Sequence, residues 1–308
     1  MQPKLVEHLP YFINQSSPEF GWQLPNSWST SQKGYEIEIS TSDNFSKEDI
    51  VWSSGKVSST QTQNIKYSGP NLNSYQQYFT RVRVFGSDGS ESDWSETGKY
   101  ETAKLSTADW KAVMISPLSD KGPETRCPTV TKSFDLDDIP NSARLYISAL
   151  GLYQVYVNGK RVGNDELTPG WTSYSDRLGY QIYDISSFLE AGKNTIIVIL
   201  ADGWYRGRLF WPPNDKNSIY GDKIGCIAEV RIVNKDDTVT TIATDNNWRS
   251  GLSPYLFSSI YDGETYDARL EGADQDIAGV EILDFNCKKL VSQESETVRV
   301  IEKFSPVK

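Results

Sequence analysis

Three stretches rich in acids, arginines and aromatics hold the side chains able to do chemistry. The tightest is Asp262-Gly263-Glu264-Thr265-Tyr266-Asp267-Ala268-Arg269. Glycoside hydrolysis needs a pair of carboxyl groups, and Glu264 and Asp267 could serve as acid and base. The same residues also read as structure: Asp262-Gly263 as a turn, and Arg269 beside an acid as an ordinary salt bridge. The structural reading is favoured, because acid-rich turns are common and catalytic pairs usually come from separate segments.

The second stretch, Gly163-Asn164-Asp165-Glu166 ahead of Leu167-Thr168-Pro169-Gly170-Trp171, sets three oxygen-bearing side chains beside glycine and proline. Hard cations such as Ca²⁺ take carboxylate, amide and backbone carbonyl oxygens. No Asp-x-Asp-x-Asp-Gly loop is present, so this is not an EF-hand, and on turn statistics alone an Asx-type turn is the favoured account. The third stretch is Asp202-Gly203-Trp204-Tyr205-Arg206-Gly207-Arg208-Leu209-Phe210-Trp211-Pro212-Pro213. Its glycines and prolines predict a loop at a strand end, where binding surfaces accumulate. Aromatic faces beside guanidinium donors suit a polar ring with one apolar side.

Other chemistries are excluded by what the chain lacks. A single histidine, His8, and three scattered cysteines, Cys127, Cys226 and Cys287, argue against Ser-His-Asp or Cys-His catalysis and against His-rich zinc sites. The odd cysteine count provides no disulfide framework. No Gly-x-Gly-x-x-Gly or Walker pattern occurs. The 308 residues carry 31 Lys and Arg against 41 Asp and Glu, a net charge of −10, so a nucleic-acid partner has little electrostatic support. No apolar run is long enough for a membrane-spanning helix, and the N-terminus lacks a secretory pattern. A reducing, cytoplasmic location is the expectation.

The elements that position these stretches are strands. Tyr35-Glu36-Ile37-Glu38-Ile39 and Thr80-Arg81-Val82-Arg83-Val84-Phe85 alternate apolar with polar, as half-buried strands do. Turn-rich pieces separate them, predicting a sandwich of roughly 100 residues in which Trp22, Trp52, Tyr78 and Trp94 supply core and strand-end packing. A second all-β block starts near Trp110. It holds strands at 143–150 and 153–157, and Asn158-Gly159 is a strong hairpin signal. The apolar run Asn194–Leu200 reads as a strand buried on both faces. Ser186 to Gly192 predicts one short helical turn, and no long helix is expected. Aromatic residues make up 12% of the chain, with nine Trp and seventeen Tyr, and most should be core.

Several of these pieces together resemble a known family. Leu145 to Tyr153, Val157-Asn158-Gly159-Lys160-Arg161-Val162-Gly163, Leu167 to Tyr174, Arg177 to Asp184, Asp202 to Gly207 and Tyr261 to Arg269 resemble, in order, the N-terminal region of bacterial α-L-rhamnosidases of glycoside hydrolase family 78. Trp52 to Val57 and Trp94-Ser95-Glu96 are similar to the fibronectin type III-like domain that often precedes it. The resemblance implies an all-β chain of two tandem antiparallel sandwiches: residues 1–104 fibronectin type III-like, residues 105–271 a jelly-roll, and residues 272–308 a connector. The family's helical catalytic barrel has no counterpart here. The expectation is therefore a non-catalytic front portion, with a catalytic rhamnosidase domain on the same gene or another chain as its protein partner.

The second sandwich also resembles carbohydrate-binding module family 67, which binds L-rhamnose through calcium. That likeness implies rhamnose-containing glycans or glycosides as ligands. Asn164, Asp165 and a backbone carbonyl at Pro212 or Pro213 would hold Ca²⁺. Trp204 or Trp211 would cover the apolar face of the sugar, and Arg206 or Arg208 would donate to its hydroxyls. The alternative is a spacer or dimerisation module without sugar binding.

Overall fold

The computed structural model describes residues 2–5, 12–13, 16–24, 31–106, 109–211, 216–273, 276–293 and 296–306. The chain is all-β, as the periodicity predicts, and the one α-helix among the described residues is the four-residue Gly203–Arg206. No helix there is long and apolar enough to cross a membrane. The chain divides into two compact units, Met1–Asp109 with Glu294–Glu296, and Trp110–Gln293 with Thr297–Lys308.

In the first unit the long strand Gln32–Ser40 lies between Gln77–Gly86 and Ile50–Ser53, and Gly98–Thr102 extends the sheet. Alternation sends Tyr35, Ile37, Ile39, Tyr78, Val82 and Val84 into one core, which Trp22 joins. On the opposite face, Glu38 sits directly across from Arg81 and Glu36 across from Arg83, and each pair forms a salt bridge at 2.6 and 2.7 Å. Trp22 and Tyr78 are core, Trp52 packs half-buried against that core, and Trp94 lies outside it. It is half-buried on the charged face, with the Arg81 and Arg83 guanidinium carbons 4.4 and 4.7 Å from its ring centre. The Ser92 and Ser95 hydroxyls beside it accept the backbone N–H groups of Val84 and Val82.

The second unit packs a seven-stranded sheet on a five-stranded one. Ser142–Leu150 is central to the first, paired with Gly225–Val233 and Leu178–Asp184. The second runs in the order Lys160–Arg161, Leu152–Val157, Gly192–Ala201, Pro128–Leu136, Arg249–Leu252. Leu145, Ile147, Val155, Val157, Ile196, Val198 and Leu200 share the core between them. Asn158 and Gly159 both take positive φ, 50° and 75°, the conformation of a tight two-residue hairpin. The predicted helical turn is a 3₁₀ turn at Ser186–Phe188.

Two expectations differ from what is found. The run Asn194–Leu200 is buried on one face only, and Ile197 and Ile199 on the other are half-buried. The stretch 272–308, read as a connector, contributes three short strands to the second unit. Val280–Ile282 pairs with Ile115–Pro117, Leu290–Ser292 runs parallel to Leu178–Asp184, and Val298–Arg299 pairs with Asp165–Glu166. Val298-Arg299-Val300-Ile301 alternates as a strand could, but two- and three-residue strands are too short for a period to mark them.

Candidate functional site

The loops that follow the strand Gly192–Ala201 organise the candidate residues. The chain leaves this strand through Asp202 and turns at once into Gly203–Arg206. Gly203 has φ 53°, and a Cβ there would lie 2.5 Å from the Leu152 side chain, so only glycine makes this sharp turn. Arg206, 2% exposed, folds back under it. Its Nε donates to Asp202 at 2.6 Å, its Nη2 to Asp120 Oδ1 at 3.0 Å and to the Gly122 carbonyl at 3.2 Å, and its Nη1 to Asp120 Oδ2. Asp202 in turn accepts the Glu124 N–H at 2.8 Å. Two carboxylates thus neutralise a buried guanidinium, the condition under which a charge can leave water. Arg206 ties the loop down and turns no donor toward a ligand.

Above this anchor the aromatic residues form two surfaces. In one, Trp204 lies parallel to Trp171, with 4° between planes and centroids 5.9 Å apart. Trp171 is 57% exposed and donates its indole N–H to the Tyr220 hydroxyl at 3.2 Å. Tyr174 packs on both Tyr205 and Tyr220 beneath. In the other, Trp211, 69% exposed, leans on Tyr261 with centroids 5.2 Å apart. Arg208 lies under both rings, 5.8 and 5.1 Å from their centres, and makes a two-pronged salt bridge to Asp262 at 2.8 to 3.2 Å. That guanidinium holds the Asp262 carboxyl below its ordinary pKa. Arg208 is therefore the support of an aromatic surface, and the acid that fixes it comes from the Asp262–Arg269 stretch.

Asn164 is exposed. Asp165 starts the short strand that pairs with Val298–Arg299, and its Oδ1 accepts from Arg299 Nε at 3.0 Å and from the Thr297 hydroxyl. For calcium, Asn164 and Asp165 are the expected donors among the described residues, and Pro212 lies outside them. The Arg299 guanidinium already sits where a cation would approach Asp165. No group of three His, Cys, Asp or Glu side chains among the described residues could hold a metal.

The two acids of the Asp262–Arg269 stretch have different surroundings. Asp267 accepts the Arg269 N–H and pairs with its guanidinium at 2.7 Å, the salt bridge that the sequence favours. Glu264 lies on the exposed hairpin strand Gly263–Tyr266 and lines a cavity of about 190 Å³ together with Asp165, Glu166, Gln154 and Tyr255. Motifs 100 residues apart thus meet at one cavity. The arrangement suits apolar contact with a ring and hydrogen bonding to neutral polar groups. Sequence reasoning missed Asp120 and Arg299, which no local pattern marks, and Trp171, Tyr220 and Tyr261, of which Trp171 and Tyr261 stood inside quoted motifs.

Comparison with known proteins places these features. Residues 138–302 match the model of the α-L-rhamnosidase N-terminal domain, and residues 6–106 that of a Rha78A-like N-terminal immunoglobulin domain. An α-L-rhamnosidase of Formosa agariphila is 36% identical over 273 residues, covering 85% of this chain and 29% of that protein. One from Alteromonas is 32% identical, covering 86% and 30%. The crystal structure of α-L-rhamnosidase from Aspergillus terreus superposes with a TM-score of 0.86 at 31% identity, over 97% of this chain and 36% of that one. The chain thus spans about three-tenths of the length of the curated relatives it matches, and over that span it belongs to the α-L-rhamnosidase N-terminal domain family.

Proposed function

We propose that this chain is the carbohydrate-binding portion of an α-L-rhamnosidase, and that its second unit holds terminal L-rhamnose of glycans or glycosides. The observation that carries the reading is the exposed Trp211–Tyr261 surface, held rigid from below by Arg208 and Asp262. Rhamnose is a 6-deoxy sugar, so its methyl and ring carbons form an apolar patch that an aromatic face covers. The parallel Trp171–Trp204 pair offers a second face of the same kind. Calcium at Asn164 and Asp165 is the further part of the proposal, and it would enter against the resident Arg299. Hydrolysis is assigned to a catalytic domain on the same gene or another chain.

Calorimetry with L-rhamnose tests this. A shallow monosaccharide site binds with Kd around 10⁻⁴ M, and Trp211→Ala or Trp204→Ala should sharply reduce the heat. Loss of the heat in EDTA and in Asp165→Ala would support calcium. No heat in any arm leaves the spacer or dimerisation reading, which the structural roles of Arg206 and Asp165 favour, and equal heats in every arm would place binding away from these residues.

A further inference from the structure

A second concavity lies on the outer face of the five-stranded sheet. The strand Gly192–Ala201 turns Ile196, Val198 and Leu200 into the core and Ile197 and Ile199 outward. Outward positions of an antiparallel sheet are ordinarily polar. Here the two isoleucines line a cleft of about 340 Å³ with Tyr156, Tyr255, Tyr266 and Thr129. The size is at the small end of ligand pockets, which run from about 300 to 1,000 Å³.

Thr129 is 3% exposed, and its Oγ1 has no hydrogen-bond partner among the described residues. A buried hydroxyl in that state lowers stability and calls for a partner. The phenol of Tyr156 donates to Gln154 at 3.1 Å and that of Tyr266 to Glu271 at 2.6 Å. Each phenolic oxygen keeps a lone pair to accept from a ligand. No lysine or arginine lines the cleft and Glu271 does, which disfavours phosphates and carboxylates. Aliphatic side chains, aromatic rings and uncharged hydroxyl groups together describe a neutral ring with one apolar face and several hydroxyls.

We propose that this cleft is a second carbohydrate subsite, separate from the Trp204 and Trp211 surfaces, that takes one neutral pyranose with the Thr129 hydroxyl bonded to it. Saturation-transfer NMR on the full chain, with methyl α-L-rhamnopyranoside and methyl β-D-glucopyranoside as probes, tests it. A double variant, Trp204→Ala with Trp211→Ala, removes the loop surfaces and should keep transfer to at least one probe. Adding Thr129→Val, nearly isosteric, should cut that transfer at least tenfold while raising the melting midpoint. Ile199→Trp, which fills the cleft, should do the same to the transfer. Transfer that survives both cleft variants, or that vanishes with the two tryptophans alone, overturns the subsite. The second result leaves the loop reading standing, whereas no transfer in the unaltered chain overturns both.

Discussion

Arg206 and Asp120 meet across 86 residues of chain, with Nη2 3.0 Å from Oδ1 inside the second unit. The contact fastens the loop that carries Trp204 to the strand-end segment that carries Asp120. Because Asp202 shares the same guanidinium, removing Asp120 leaves a one-to-one ion pair but takes the carboxylate acceptor away from both Nη groups. Asp120→Ala should destabilise the second unit by about 1–3 kcal/mol, the cost of buried N–H donors left without their acceptor. Denaturant titration followed by tryptophan fluorescence measures it, and a loss below about 1 kcal/mol would show that water reaches the guanidinium.

The first unit rests on a different charged device. Glu36, Glu38, Arg81 and Arg83 form two cross-strand pairs with Trp94 against the arginines. These contacts are partly exposed, so Trp94→Ala should cost only about 1–2 kcal/mol, from two cation–π contacts and lost packing. Ser95→Ala is the sharper test, since it leaves the buried Val82 N–H without its acceptor, at about 1–3 kcal/mol. If Ser95→Ala proves neutral by thermal melting, the hydroxyl is not what satisfies that strand.

How much of this was legible in the sequence depended on the range of the interaction. The Asn158-Gly159 hairpin follows from the two residues themselves, which tolerate positive φ, and Val157 pairs with Lys160 as such a turn requires. The strand 194–200 was legible as a strand, but its outward isoleucines face a cleft rather than a second core, and periodicity alone does not separate the two. Arg206 and Arg208 were visible as arginines beside aromatics. Their roles come from Asp120 and Asp262, 86 and 54 residues away, and no local rule links such pairs. Trp94 was read with the other aromatics as core or strand-end packing, and its place against Arg81 and Arg83 follows from strands that no local pattern brings together.

The Arg208–Asp262 pair should make the exposed aromatic surface pH-sensitive. The Arg208 guanidinium lowers the folded-state pKa of Asp262 below its ordinary 3.8. A carboxyl depressed on folding contributes stability that is present above the unfolded pKa and is lost as the pH falls through the folded value. Trp211 emission should therefore hold steady from pH 7 to 5 and change below about pH 4. Asp262→Asn should show the low-pH emission at neutral pH. An Asn variant that titrates like the parent would mean that another carboxylate governs the surface.

The three cysteines report on burial and on the cavity under the hairpin. All three are unpaired, Cys127 and Cys226 buried and Cys287 half-buried. Burial pushes the Cys226 thiol up to about 12, and burial followed by the nearby Asp202 charge does the same to Cys127. At pH 8 such thiols are ionised to roughly one part in 10⁴, and the thiolate is the reactive form. Iodoacetamide on the folded protein should modify Cys287 alone, slowly, since burial raises its pKa as well. Denatured, non-reduced protein should titrate three thiols, and fewer would reveal a disulfide. Cys127 lines the 190 Å³ cavity beside Tyr255 and Glu264, so its labelling reports opening of the hairpin formed by Tyr255–Ser259 and Gly263–Tyr266. Asp262→Asn removes the Arg208 tie at the tip of that hairpin and should speed Cys127 labelling while leaving Cys226 inert. Equal acceleration at both cysteines would point to global unfolding instead of a local opening.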